Sequence, residues 1–176
     1  RITQIGYCFS LSVFLILCGK PFIKLLQPLQ QPDSNDGIVA LHDDLFMSVR
    51  WLSGPMLPEI VWKKFSATGA FRTAFDVALQ HVKNRRSVAL HADFELLTVL
   101  DSDDQAWLRN EWLSKAAQFG LKHIGVVLPV ASIGKTSLMK GLRAPDGNIL
   151  EIGYFMHREQ SRDWILRMSR MHRSSQ

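Results

Sequence analysis

The segment between Ser87 and Pro129 constrains the fold of this 176-residue chain more than any other part of the sequence. It begins with an apolar run typical of a buried strand and ends with a second such run over residues 123–128. Between them lie an acidic loop over residues 99–104 and a stretch with helical periodicity over residues 105–119. Two continuous apolar runs joined by an amphipathic helix are typical of parallel strands buried on both faces. The sequence therefore predicts an α/β protein.

The acidic loop carries the signals of a helix start. Asp101 is predicted to be the N-cap, and Asp103 and Asp104 fall in the first turn, where negative charge meets unpaired backbone N–H groups. Gly120 follows the last apolar position and is predicted to terminate the helix in a left-handed conformation.

The rest of the chain from Gly37 onward alternates between strand-like and helix-like patterns. The predicted order is ββαβαβαβα, a sandwich in which a mixed sheet has its helices mainly on one face. The first two strands form a hairpin around Asp43-Asp44, while Pro55 and Pro58 are expected to hold the following residues in a loop. The predicted strands span 37–42, 45–52, 88–92, 123–128 and 149–156, and the predicted helices span 69–82, 105–119, 137–142 and a closing segment around Trp164.

The predicted domain covers residues 37–172, and residues 1–36 form a separate apolar segment and linker. No charged residue occurs between Ile2 and Gly19. Three interpretations of this segment stay open: a signal peptide, a membrane anchor that contacts the bilayer through residues 1–26, and an extension foreign to the native domain.

Charge and cysteine usage exclude some function classes. The formal net charge is +5, but the basic excess lies near the two ends of the chain, so no nucleic-acid-binding core is expected. The only cysteines, Cys8 and Cys18, precede the predicted domain, which therefore has no thiolate metal site and no disulfide framework.

No motif in the sequence is typical of an enzyme or of a cofactor-binding protein. Gly134-Lys135-Thr136 follows a strand as in a phosphate-binding loop, but Pro129 stands where that loop requires its first glycine. His42, His91 and His157 lie at or near strands, and three imidazoles that converge at one sheet edge could bind zinc. Their spacing, however, matches no ligand motif. We expect no catalytic residues, no metal and no cofactor.

The order of elements and two short stretches of sequence resemble those of the STAS/SpoIIAA-like superfamily, and in particular those of uncharacterised bacterial SpoIIAA-like proteins. The resemblance covers roughly residues 37–166 and rests on Ala89-Leu-His-Ala-Asp93, on Val99-Leu-Asp-Ser-Asp-Asp104 and on aromatic residues in the neighbouring elements. Those aromatic positions are Trp51, Trp107, Trp112, Tyr154, Phe155 and Trp164.

The resemblance implies a non-catalytic, cytoplasmic regulatory domain that binds a protein partner. It implies that the partner-binding residues are Asp93, Asp101, Ser102, Asp103 and Asp104. In the family's antagonist proteins the second serine of an Asp-Ser-Ser loop is phosphorylated, but Asp103 occupies that position here. Ser102 is therefore the candidate phosphorylation site, with aspartates on either side that would repel a phosphate.

A small-molecule or lipid carrier of SEC14/SpoIIAA-like type is the alternative function. It rests on the supply of aromatic residues suited to a pocket between helices and sheet. The residues considered for that pocket are Trp51, Trp62, Phe65, Phe71, Trp107 and Trp112.

Overall fold

The structure is a computed structural model that describes residues 37–63, 69–143 and 150–174. All of them lie in one unit of the chain, Ser34–Gln176. The predictions for residues 1–36 and for Phe65 concern residues outside the described ranges.

The described residues form an α/β structure around a mixed six-stranded sheet with strand order β1-β2-β3-β4-β5-β6. The strands are β1 Ile38–Asp43, β2 Met47–Leu52, β3 Leu57–Trp62, β4 Ala89–Asp93, β5 His123–Val127 and β6 Glu151–Phe155. Strands β1, β2 and β3 pair antiparallel, whereas β3, β4, β5 and β6 pair parallel. The predicted hairpin is confirmed, since Asp44 turns the chain by accepting hydrogen bonds from the backbone N–H groups of Phe46 and Met47.

Strand β3 was missed, so the predicted order ββαβαβαβα was wrong by one strand, and the observed order is βββαβαβαβα. Pro58 led to the error because proline cannot donate a ladder hydrogen bond. In the structure Pro58 is the second residue of β3 and pairs only with β2, because the pairing of β3 with β4 begins at Glu59. The missing N–H therefore leaves the ladder with β4 intact.

The helices are α1 Ala70–Arg85, α2 Ser102–Trp107, α3 Leu113–Gln118, α4 Ser132–Gly141 and α5 Arg158–Ser174. A π-helical turn, Leu108–Trp112, joins α2 to α3, and we call the continuous run 102–118 the central helix. The π turn brings the consecutive residues Trp112 and Leu113 both into the core, where the Trp112 indole N–H donates to the Phe75 carbonyl over 3.0 Å.

The two faces of the sheet are covered differently. Alternate strand residues such as Ile60, Leu90 and Ile124 join the side chains of α1 and the central helix in the larger core cluster. The residues between them face α5, where Leu57, Ala89 and Ile165 belong to a smaller cluster. Most helical cover thus lies on one face, as predicted, and α5 packs on the other face.

Candidate functional site

The acidic loop joins β4 to the central helix at the carboxyl end of the sheet. Asp101 is the N-cap, as predicted: its backbone is extended and its carboxylate accepts the Asp104 N–H over 2.8 Å. Gly120 ends the same run of helix with φ 96°, which also agrees with the prediction. The helix begins at Ser102, directly after the predicted N-cap and three residues before the stretch of helical periodicity over residues 105–119. Local capping chemistry therefore fixes both ends of this element.

Asp104 is buried and its carboxylate is held by Arg72 of α1, whose Nε lies 2.6 Å from Oδ1. The hydrogen bond to Asp104, together with the charges of Asp101 and Asp103, raises the pKa of Arg72. The Arg72 guanidinium also lies 5.3 Å from the centre of the Trp107 ring. Arg72 thus neutralises part of the acidic loop, and Asp104 joins the central helix to α1 instead of facing solvent.

Asp93, at the end of β4, is also buried. One of its carboxylate oxygens forms an ion pair with Arg158 of α5, and the other accepts the Glu95 N–H over 3.1 Å. Arg158 reaches toward Glu95 as well, with Nη2 3.8 Å from Oε2. Asp93 therefore positions the first turn of α5 against the sheet and is covered by that helix.

Ser102 and Asp103 are the predicted site residues whose side chains are exposed. Large apolar side chains are exposed in the loops that follow β4 and β5 and in the first turn of α4: Leu96, Val99, Val130 and Ile133. Val130 and Ile133 are 77% and 71% exposed. The two loops are in contact, since the Val130 N–H donates to the Glu95 carbonyl over 3.1 Å. We call Leu96, Val99, Ser102, Asp103, Val130 and Ile133 the loop edge.

An open cleft of about 410 Å³ lies between α2 and α4 and shares Val99 and Ile133 with the loop edge. It is lined by Val99, Gln105, Ser132, Ile133, Thr136, Ser137 and Lys140. Its floor is fixed by Ser137, whose hydroxyl accepts the Leu100 N–H and donates to the Gly134 carbonyl, each over 2.9 Å. The cleft therefore has a polar floor, apolar side chains at Val99 and Ile133 and one cation, Lys140, which suits an inserted side chain of another protein.

The Gly134-Lys135-Thr136 run is not a phosphate-binding loop. It lies inside α4, which starts at Ser132, five residues before the predicted start at Ser137. A Cβ on Gly134 would lie 2.4 Å from the Leu97 carbonyl oxygen and 2.8 Å from that of Thr98. Glycine at this position lets α4 approach the backbone that follows β4, so its role is packing.

A polar row on the α5 face of the sheet, buried at Glu59 and His91, was missed by the sequence analysis. Arg50, Glu59 and His91 are neighbours in register on β2, β3 and β4. Glu59 is 3% exposed, and its carboxylate accepts from Arg50 Nη2 over 2.6 Å and lies 3.0 Å from His91 Nδ1. The signal was a single charged residue inside the apolar run Leu57–Trp62.

The charges around Glu59 decide its ionisation. Burial alone would raise the pKa of Glu59, but the hydrogen bond from His91 and the charges of His91, Arg50 and Arg162 lower it below the ordinary value of 4.5. Glu59 is therefore ionised at neutral pH, and His91 Nδ1 acts as a hydrogen-bond donor to it.

The histidines considered for zinc do not converge. His42 Nε2 lies 2.9 Å from Asp44 Oδ2, while His91 is fully buried beside Glu59. Over 37–63, 69–143 and 150–174, no three His, Cys, Asp or Glu side chains are grouped so as to hold a metal ion. Within the same ranges, no helix has the length and hydropathy needed to cross a bilayer.

Four of the six aromatic residues that could line a carrier pocket are buried in the core. Trp51, Trp62, Phe71 and Trp112 are each at most 3% exposed. Phe71 packs against Phe75 with ring centres 4.5 Å apart, and the Trp112 ring meets Phe75 edge-on at 4.8 Å. The cleft of the loop edge is lined by none of these rings. Core packing therefore accounts for them.

Comparison of the chain with protein-family models, with curated proteins and with solved structures finds no match. The function has to be argued from the site alone.

Proposed function

We propose that this chain is a non-catalytic regulatory domain of STAS/SpoIIAA-like type that acts in the cytoplasm by binding a protein partner through the loop edge. The observation that carries the proposal is that the exposed side chains of Val99 and Ile133 line one cleft together with Gln105 of α2, the helix whose first residues are Ser102 and Asp103. Exposed apolar side chains grouped around a polar cleft are typical of protein-binding surfaces, because burying them removes apolar area from water.

The expected partner presents an apolar side chain and a cation. The apolar side chain would enter the cleft between Val99 and Ile133, and the cation would face Asp103, whose charge has no ion-pair partner among the described residues. Asp101, Asp104 and Asp93 contribute by holding the loop and α5 in place, since their carboxylates cap the helix or form ion pairs.

Ser102 remains the candidate phosphorylation site within this proposal. Its side chain is exposed at the first residue of α2. A phosphate there would add negative charge next to Asp101 and Asp103, which would oppose docking of an apolar group close by while attracting the partner's cation. The carrier function stays a hypothesis without a supporting contact in the described residues.

Affinity capture from the source cell lysate with the full chain as bait tests the proposal. We expect a partner that is lost with Ile133→Asp and with Asp103→Lys. The matched controls are Leu45→Asp, which changes an exposed apolar residue in the β1–β2 turn, and Asp163→Lys, which reverses an exposed charge on α5. Asp101 is left unchanged because loss of its cap would cost about 1 kcal/mol of stability and confuse binding with folding. A partner retained by both loop-edge variants would contradict the proposal.

A further inference from the structure

The end of the sheet opposite the loop edge carries a cleft of about 460 Å³ with a different chemistry. Its basic residues come from three parts of the fold: Lys83 and Arg86 at the end of α1, Lys122 just before β5, and His172 in the last turn of α5. Phe119 and the backbone of Gly120 form part of its wall. We call it the basic cleft.

No acidic side chain lines the basic cleft among the residues that the structure describes. Within those residues, none of its four basic side chains forms an ion pair; Lys83 instead lies over the Phe119 ring, 4.9 Å from its centre. A cleft lined by charges of one sign concentrates the electrostatic potential and attracts ions of the opposite sign.

The positive potential acts on a neighbouring group as well. Burial lowers the pKa of His123, and repulsion from His172 and Lys122 lowers it further, against the attraction of Glu151.

Helix dipoles account for only part of this arrangement. Lys83 and His172 lie in the last turns of their helices, where a cation is favoured without any ligand. Lys122 lies just before β5 and outside the helices, so the dipole does not explain why it converges on the same cleft as the cations at the end of α1.

Arg86 also has a backbone conformation that disfavours arginine. It follows α1 with φ 51° and ψ 43°, in the left-handed region where glycine or asparagine is preferred at a helix end. A strained residue of this kind is grounds for a functional hypothesis when its side chain has a place to act. Here that place is the basic cleft.

We propose that the basic cleft binds a small phosphorylated ligand, with its phosphate groups held by Arg86, Lys122 and the neighbouring cations and an apolar part against Phe119. Arginine and lysine are the side chains that proteins use for phosphate, the former as a two-pronged donor and the latter as a point charge. This site lies apart from the loop edge and does not depend on the function proposed for it.

Isothermal titration calorimetry of the full chain with inorganic pyrophosphate tests the site. We expect saturable binding that weakens at least about tenfold in Arg86→Gly, which corresponds to about 1.4 kcal/mol. Because glycine relieves the backbone strain, the same variant should keep or raise the thermal midpoint, so that lost binding cannot be attributed to unfolding. Lys122→Gln should also weaken binding, and amide NMR signals of Gly120 and Lys122 should shift when pyrophosphate is added.

The charge-matched control is Lys140→Gln, an exposed lysine on α4 in the other cleft. If Lys140→Gln weakens binding as much as Arg86→Gly, the attraction comes from overall charge and the proposal is wrong. Absence of saturable binding to the unmodified chain would overturn it too. Co-sedimentation with phosphatidylglycerol vesicles tests whether the phosphate group belongs to a lipid headgroup. Binding to vesicles without binding to pyrophosphate would contradict a small-ligand site.

Discussion

The aspartates of the acidic loop show how neighbouring residues of one type acquire different roles. Asp101 caps the central helix, Asp104 is buried against Arg72, and Asp103 is exposed. The cap was predictable because it depends on residues three positions apart in the chain. The burial of Asp104 was not, since Arg72 lies 32 residues away and reaches it only through the packing of α1 on the central helix.

Glu59 gives a prediction at the same scale. Replacing it by glutamine removes the charge that Arg50 and His91 contact while keeping the volume, so Glu59→Gln should destabilise the protein by about 3 kcal/mol at neutral pH. The folded-state pKa of Glu59 is lowered from 4.5, so this contribution is present above pH 4.5 and is lost as the pH falls through the folded-state pKa. Urea unfolding of both proteins at neutral pH and near pH 3 measures the difference.

The control for Glu59 is Glu159→Gln, an exposed residue in the first turn of α5. We expect that substitution to change stability by no more than about 0.5 kcal/mol. The difference in the free energy of unfolding between Glu59→Gln and the unmodified protein should be smaller near pH 3. If it were the same at both pH values, the ionised carboxylate would not be its source.

Strand β3 and the first turn of α4 differ from the sequence-based expectation because each contains a residue that normally interrupts regular structure. Pro58 concealed β3, and Gly134 concealed the first turn of α4, because both residue types normally interrupt regular structure. Both are accommodated by neighbours remote in sequence: Pro58 lies outside the pairing with β4, and Gly134 lies against the carbonyl groups of Leu97 and Thr98. Such tolerance depends on packing and has no signature in the local sequence.

The close approach of α4 to the backbone after β4 predicts the effect of adding one methyl group. Gly134→Ala would place Cβ 2.4 Å from the Leu97 carbonyl oxygen, so α4 or that backbone must shift, at a cost of about 2 kcal/mol. Thermal and urea unfolding measure this cost. Gly54→Ala is the matched control, because its Cβ would meet nothing within 4 Å, and it should be close to neutral. Equal stability of the two variants would contradict the packing described for α4.

At the scale of the whole molecule, the sheet separates two surfaces of opposite character. The loop edge follows the carboxyl ends of β4 and β5, where acidic and apolar side chains are exposed. The basic cleft lies at the opposite end, where α1 and α5 terminate. Parallel strands produce this separation because all their carboxyl ends lie at one edge of the sheet.

The residues that form the core indicate that the chain can be shortened at its N-terminal end without loss of folding. Both buried clusters draw on residues between Met47 and Ile165, so a chain of residues 34–176 should fold on its own. We expect one cooperative thermal transition with a midpoint close to that of the full chain, measured by circular dichroism. A broad transition without a sigmoidal midpoint would show that residues before 34 are needed for the core.

The α/β class, the β1–β2 hairpin, the ends of the central helix and the acidic loop could all be predicted from the amino-acid sequence. Each depends on periodicity, turn residues or caps within a few positions of the chain. The number of strands, the start of α4 and the Arg50–Glu59–His91 row were decided by the tertiary structure. So was the division of the aspartates into buried and exposed. In each of these cases the deciding contact joins segments that are far apart in the chain, and only packing brings them together.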